Sequence, residues 1–420
     1  MHRSEYSRTM KFGRRNQNEA RAHWSVLGLT LLPTLAAAVI LVQGDLLTEA
    51  GRLEDFSKSY FGEGSNNYVA PTGAQWNDFR VAALALWQGD VATAENLATN
   101  LDYEVLQFTD TPSGLTLLAL RSRETNGLPV RGWGTCFVNT NAGLAAQIQA
   151  PHPQWDFRTP RLAAEVFLKS GARGLLIAGA HRHVNGTGTG DPCDLTNTAF
   201  HAVHSAWSGP VGENTAWQIH GFSLANHPVF PTNTQAVLST GEGGTNLMST
   251  NVARLDRQLE WNRVKSFAYN RNLETNSALN LLVNEGVDGQ TFTNLGARSN
   301  VQGVHSRGLG GTFVHVELAT PVRTNALLRT QAADAIANAL LLSFTNPPLA
   351  TNVALTNAFQ TSGNVVVGVH SQPGRSHQLE IASALATTNW AVLYTFPGQS
   401  GVRFLTNSEG GNIFLRVRVE

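Results

Sequence analysis

Apolar residues recur at helical spacing from Trp76 to Leu101, as in Phe79, Ala82, Ala83 and Leu86. Two strand-like runs follow, Glu104–Phe108 and Leu115–Leu120, and then a Gly-rich patch with Trp133. From residue 144 onward, strands alternate with helical segments. Leu144–Ala150 reads as a strand ending in Pro151-His152-Pro153, and Pro160–Lys169 as a helix with Pro160 suited to its first turn. Gly174–Ala178 is a short apolar strand followed by His181-Arg182-His183, and Thr198–Trp207 is helical again. Ala216–Ile219 is a strand leading into His220-Gly221-Phe222. Gln235–Ser239 and Thr312–Leu318 read as strands, Val252–Val264 and Gln331–Leu342 as helices. This order is the signature of an α/β layer fold. Residues 46 to 66 show no clear period and read as irregular or linker-like.

The pattern changes after Phe344. Thr345-Asn346-Pro347-Pro348 is a linker signal, and short β-type runs follow at Asn364–Val369, His377–Ile381, Ala391–Thr395, Arg403–Leu405 and Ile413–Val419. That is the pattern of a small all-β sandwich. The chain then divides into residues 1–45, an N-terminal elaboration at 46–143, a core at 144–345 and a β-module at 346–420.

The first segment has the marks of an export signal. Arg14, Arg15 and Arg21 lie in a basic stretch, an apolar run spans Trp24 to Val42, and small residues stand near its end. The run is also nearly long enough to span a bilayer, which leaves an uncleaved anchor as the alternative. Either way the body of the chain is expected outside the cytoplasm, in the periplasm or the extracellular space. With 30 Lys and Arg against 30 Asp and Glu, the chain has no global field to attract nucleic acid or an anionic surface. Membrane contact is expected only through that N-terminal segment. The two cysteines, Cys136 and Cys193, allow at most one disulfide or two buried thiols.

In open α/β sheets, sites gather beyond the carboxyl ends of the strands. Four residues stand there: His152, Asp156, His220 and Glu317. Two imidazoles and a carboxylate form a common ligand set for one catalytic zinc ion. A separate carboxylate must then take and return the proton, and Glu317 in His315-Val316-Glu317-Leu318 is the candidate. A carboxylate within an apolar strand is costly to bury without a partner, which makes Glu317 a pointer to function. His181 and Arg182 also follow a strand. His181 is the rival third ligand, while Arg182 and Arg323 are candidates for binding substrate, with a structural ion pair as the other reading of Arg182. His201 and His204 lie three apart on a helix, a spacing that suits polar-face residues more often than ligands. The segments Gly186–Gly190 and Gly308–Gly311 lack the lysine of a phosphate loop and read as loops at the rim of the site. No Gly-x-Ser-x-Gly elbow is present, and neither Cys has an evident His partner, so a Ser or Cys nucleophile is not expected.

The order of His and acid, then His, then Glu on a late strand resembles zinc carboxypeptidases, N-formylglutamate amidohydrolases and N-acetylmuramoyl-L-alanine amidases. The similarity covers roughly residues 144–345. It rests on the Pro-His-Pro…Asp loop, Ile219-His220-Gly221-Phe222 and Val316-Glu317-Leu318. It implies a three-layer α/β/α core with a mixed, phosphorylase/hydrolase-like sheet. It also implies zinc on His152, Asp156 and His220, with Glu317 as general base and acid. The carboxypeptidase pattern has a Glu three positions after its first His, where this chain has an Asp four after, and no Arg matches that family's substrate-carboxylate clamp. The β-module resembles a C-terminal module of many exported bacterial proteins through Pro373-Gly374-Arg375, Ser383 to Asn389-Trp390, and Phe414-Leu415-Arg416-Val417. The expected activity is hydrolysis of a peptide or amide bond, in a peptide, an N-acyl amino acid or a cell-wall-derived compound. The alternative is a non-catalytic exported protein that binds a polysaccharide or surface partner.

Overall fold

The structure is a computed structural model. It describes residues 39–208, 215–241, 250–268 and 295–344, and beyond them the strand segments 354–361, 364–370, 376–382, 391–397, 402–407 and 414–419. Residues 1–38, most of the expected export signal, lie outside it. The end of that apolar run does not: Ile40–Gly44 forms an edge strand, β1, so a boundary at residue 45 falls after the first strand of the sheet. Among the described residues no helix is long and apolar enough to cross a membrane.

The segment expected to be irregular is a helix, α1 (Leu46–Lys58). Its signal is polar rather than periodic: Asp45 caps it by accepting from Leu47 N, and Glu49 and Lys58 sit at the ends that the helix dipole favours. The helical stretch expected from Trp76 to Leu101 is two helices, α2 (Gly73–Gln88) and α3 (Val91–Thr99). Thr72 and Gln75 form a capping box at the start of α2. Gly89 ends it in the left-handed region at φ 80°, and Asp90 caps α3.

β2 (Tyr103–Asp110) and β3 (Thr116–Ser122) follow, then a small hairpin of β4 (Glu124–Thr125) and β5 (Leu128–Pro129), and β6 (Thr135–Val138). The core continues with β7 (Leu144–Ala150), α4 (Thr159–Ser170), β8 (Ala172–Ile177), α5 (Ala199–Trp207) and β9 (Thr215–Phe222). β10 (Ala236–Ser239), α6 (Thr250–Trp261), β11 (Ser266–Ala268), α7 (Val301–Gly308), β12 (Thr312–Ala319), α8 (Thr320–Thr324) and α9 (Ala326–Phe344) complete it.

Ten strands form one mixed sheet in the order β1-β2-β3-β6-β8-β7-β9-β12-β10-β11. Its centre, β8-β7-β9-β12, is parallel. The expected N-terminal elaboration is therefore part of the same sheet, to which it gives β2, β3 and β6, while β1 comes from the segment before it. Alternate residues of each strand enter different cores, as a period of two requires. Leu106, Phe137, Ile148, Leu175, Trp217 and Val316 join the helices α1, α4, α6 and α9 on one face. Val105, Cys136 and Leu176 join α2, α3 and α5 on the other. In the central strands this second face carries buried polar residues instead: Gln147 and Gln149 on β7, Gln218 and His220 on β9, His315 and Glu317 on β12.

The C-terminal strands form two antiparallel sheets, β13 (Ala354–Thr361), β14 (Asn364–His370) and β17 (Val402–Asn407) in one, β16 (Ala391–Pro397), β15 (Ser376–Ala382) and β18 (Phe414–Val419) in the other. Phe414-Leu415-Arg416-Val417 lies on β18, whereas Pro373-Gly374-Arg375 and Ser383 to Trp390 lie outside the described residues.

Candidate metal centre

The carboxyl ends of the parallel strands bring His152, Asp156, His220 and Glu317 to one cavity of about 570 Å³. His152 lies just beyond β7, and the turn that returns Asp156 to it is closed by Asp156 N donating to His152 O at 2.9 Å. His220 is on β9 itself, because the strand runs three residues past the expected end at Ile219, to Phe222. Glu317 on β12 pairs in register with His220.

One oxygen of Asp156, Oδ2, stands 3.1 Å from Nδ1 of His152 and 3.0 Å from Nδ1 of His220. The far nitrogen of each ring also has an acceptor. Nε2 of His152 is 2.9 Å from Asp191 Oδ1, and Nε2 of His220 is 2.8 Å from Gln218 Oε1. Asp191 is held in turn by Cys193 N, which donates to Oδ1, and by an ion pair of Oδ2 with Arg182. Cys193 lines the cavity with Sγ 3.9 Å from His220 Nε2. His315, two residues before Glu317 on the same face of β12, places Nε2 3.5 Å from Glu317 Oε1.

The charges follow from these contacts. Burial disfavours a charged His152 or His220, but the Cys193 thiolate and Asp156 outweigh it, raising His152 well above its usual value and His220 to about 10. Burial would push Asp156 and Asp191 up, yet the imidazoles hold Asp156 far below the carboxylate range and, with Arg182, Asp191 at about 2. Cys193 is lowered because the two imidazoles overcome its burial. Glu317 is pushed up to about 7 by burial, only partly offset by His220. Burial and the neighbouring His220 keep His315 well below its usual value, and so neutral. Glu317 Oε2 and His315 Nδ1 are buried without a hydrogen-bond partner.

Among the described residues two groups could hold a metal ion by the closeness of their donor atoms: His152 with Cys193 and His220, and His220 with His315 and Glu317. His181 belongs to neither. It packs against Trp155 and His183, its ring centroid 5.7 Å from that of Trp155. Arg182 lines the cavity while paired to Asp191. Arg323 also lines it, and its guanidinium donates to the carbonyls of Phe157, Leu318 and Phe222.

Several expectations change. Cys136 and Cys193 are both free, so the disulfide is not formed. Cys136 is on β6 in the apolar core, its thiol pushed up to about 12 by burial, while Cys193 belongs to the site. The expectation that neither cysteine meets a histidine fails at Cys193. His201 and His204 belong to a buried amide network and to neither metal-capable group. Neither Gly186–Gly190 nor Gly308–Gly311 lines the cavity.

Cys193, Asp191, Gln218 and His315 escaped the sequence. For Gln218 and His315 a signal existed, since each precedes a chosen residue by two positions on a strand and must share its face. Nothing in the spacing marks Asp191 or Cys193, which reach the site from a long loop. The chain matches no protein-family model, no curated protein and no solved structure.

Proposed function

We propose that this chain is a zinc-dependent hydrolase of a peptide or amide bond, acting on a peptide, an N-acyl amino acid or a cell-wall-derived compound. The carrying observation is the direction of the two imidazoles. Each gives Nε2 to an oxygen that can only accept, Asp191 Oδ1 or Gln218 Oε1, and turns Nδ1 to the single oxygen Asp156 Oδ2. Metal-binding histidines characteristically donate their second N–H in this way. Asp156 Oδ2 lies within 3.1 Å of both Nδ1 atoms, so two nitrogens and a carboxylate oxygen converge, buried, where the protein's own groups hold two protons in a cation's place, although by donor closeness alone Cys193, not Asp156, groups with the two imidazoles. His152, Asp156 and His220 would hold the ion. When bound, the ion would supply Lewis acidity.

The remaining steps belong to the chain. Glu317, once ionised, takes the proton of the attacking water and returns it to the leaving nitrogen. Its high pKa suits that exchange near neutral pH. His315 keeps a neutral ring beside it, and the wall formed by Phe157, Phe222 and Leu295 offers apolar surface to the substrate. Arg182 acts on His152 through Asp191 as well as lining the cavity. The two C-terminal sheets fit the small sandwich module, and the basic and apolar stretch that precedes β1, from residue 14, fits export to the periplasm or beyond.

One observation favours a second reading. Cys193, His220 and Asp156 stand in the order thiol, imidazole, carboxylate, with Sγ 3.9 Å from Nε2 and Nδ1 3.0 Å from Oδ2. That arrangement suits a thiol nucleophile. Metal analysis combined with chelation, on a panel of peptides, N-acyl amino acids and muropeptides, separates the two. About one zinc per chain and loss of turnover on chelation support the hydrolase proposed. Metal-free turnover lost in Cys193→Ser supports the thiol reading. Binding with no turnover on any substrate supports a binding protein.

A further inference from the structure

The second face of the central strands buries a row of amides behind the site. Gln149, Gln218 and Gln302 are fully buried and Asn300 nearly so. Gln218 Oε1 meets His220 Nε2 at 2.8 Å and accepts from Asn300 Nδ2 at 2.6 Å. Gln218 Nε2 donates to Gln149 Oε1 at 2.9 Å and to Gln302 Oε1 at 3.3 Å. An amide can turn over in place, so its direction has to be established from fixed groups.

Two backbone groups do so independently. Gln302 donates Nε2 to the carbonyl of Pro192 at 2.7 Å, and a carbonyl only accepts. Its oxygen must then face Gln218, whose NH2 must face Gln302. Separately, Gly303 N donates to Asn300 Oδ1 at 3.0 Å, and a backbone N–H only donates. The NH2 of Asn300 must then face Gln218, which must answer with its oxygen. Both routes give Gln218 the same direction. Reversed, it would set NH2 against NH2 and oxygen against two oxygens, in a site where all four amides are buried.

We infer that Gln218 is a positioning residue that holds the proton of His220 on Nε2 and so reserves Nδ1 for the ion, its direction fixed in duplicate by the Pro192 carbonyl through Gln302 and the Gly303 N–H through Asn300. The part concerning the ion rests on the function proposed above. The part concerning the proton does not. Because the direction is set twice, losing one anchor leaves it in place and losing both releases it.

The test uses the full chain with 15N-labelled histidine. In the wild type the His220 Nε2–H is protected from exchange with water, with or without zinc. In Gln218→Leu that protection is lost and zinc affinity falls about 10- to 100-fold, the usual effect of removing such a partner. Asn300→Ser, which keeps a helix-capping oxygen, and Gln302→Leu each leave zinc affinity within about twofold, while the two together fall as far as Gln218→Leu. If Gln218→Leu does not fold, the Asn300 and Gln302 variants carry the test. Unprotected Nε2–H in the wild type, or single variants that each fall as far as the pair, would overturn the inference. A wild type that binds no zinc yet protects Nε2–H through Gln218 would defeat the proposed function and leave the positioning role standing.

Discussion

Glu317 lies directly across from His220 in the parallel pairing of β12 with β9, so the buried carboxylate and the imidazole share one face of the sheet. The pairing sets the buried carboxylate beside the imidazole by strand register alone, without help from a loop. Removing the carboxylate's charge while keeping its shape should then spare the ion and stop the reaction. Glu317→Gln is expected to keep its zinc and lose at least about a hundredfold in kcat. Metal analysis and steady-state rates on the same preparation check this, and normal turnover would refute the assigned role.

The rate should also depend on pH through this group. Glu317 must be ionised to accept a proton, and burial sets its pKa at about 7. Activity should rise with pH along an acidic limb centred near neutrality. A profile flat from about pH 5 to pH 8 would show that another group takes the proton.

Cys193 separates the two donor arrangements around the same imidazoles. If the ion sits with Asp156, Cys193→Ser keeps metal and most activity, and the cobalt-loaded wild type lacks a thiolate charge-transfer band. If it sits with Cys193, that band appears in the wild type and vanishes in the variant. Asp156→Ala should show the opposite pattern, losing most of the metal.

Gly221 is required by its neighbour. A Cβ at this position would stand 2.4 Å from Cζ and Nε of Arg323. The Arg323 guanidinium ties the carbonyls of Phe157, Leu318 and Phe222 together at the wall of the cavity. Gly221→Ala is expected to cost about 1–3 kcal/mol by overpacking and to weaken zinc binding with it. Denaturant midpoints and a zinc titration measure both, and a variant as stable as the wild type would contradict the packing account.

Asp256 offers a test away from the site. It is buried on α6, and desolvation raises its pKa from 3.8 to about 7 although Ser266 Oγ donates to it at 2.6 Å. Between those values the folded chain holds a proton that the unfolded chain releases, so this group makes stability fall as pH rises through the window. Asp256→Asn keeps an oxygen for Ser266 and removes the charge. It should flatten that part of the pH dependence, gaining stability over the wild type at about pH 8 and little at about pH 4. An unchanged difference between the two pH values would dismiss the effect.

Much of the core was legible because burial writes itself into period. β7 matches its apolar run end to end, and α4, α5 and β12 fall within a residue of the expected bounds. α1 was not legible, since capping and dipole complementarity specify it more than an apolar stripe. β1 was hidden because its apolar residues continue a run that reads as an export signal. At the site, the residues at strand ends were legible from type and placement. Asp191 and Cys193 were not, because a loop carries them there and only the folded backbone shows that Cys193 N donates to Asp191 Oδ1. The amides around Gln218 read as ordinary polar positions, and their meaning lies in which atoms face one another.

An ion at His152, Asp156 and His220 is the centre of the proposed chemistry. The most direct measurement is the zinc content of the purified chain beside that of His220→Ala, with the hydrolysis of a peptide and N-acyl amino acid panel followed before and after chelation and zinc return. About one zinc per chain, little in the variant, and turnover that is lost on chelation and restored by zinc are expected. A wild type that carries no zinc and cleaves the panel unchanged in chelator would contradict that chemistry.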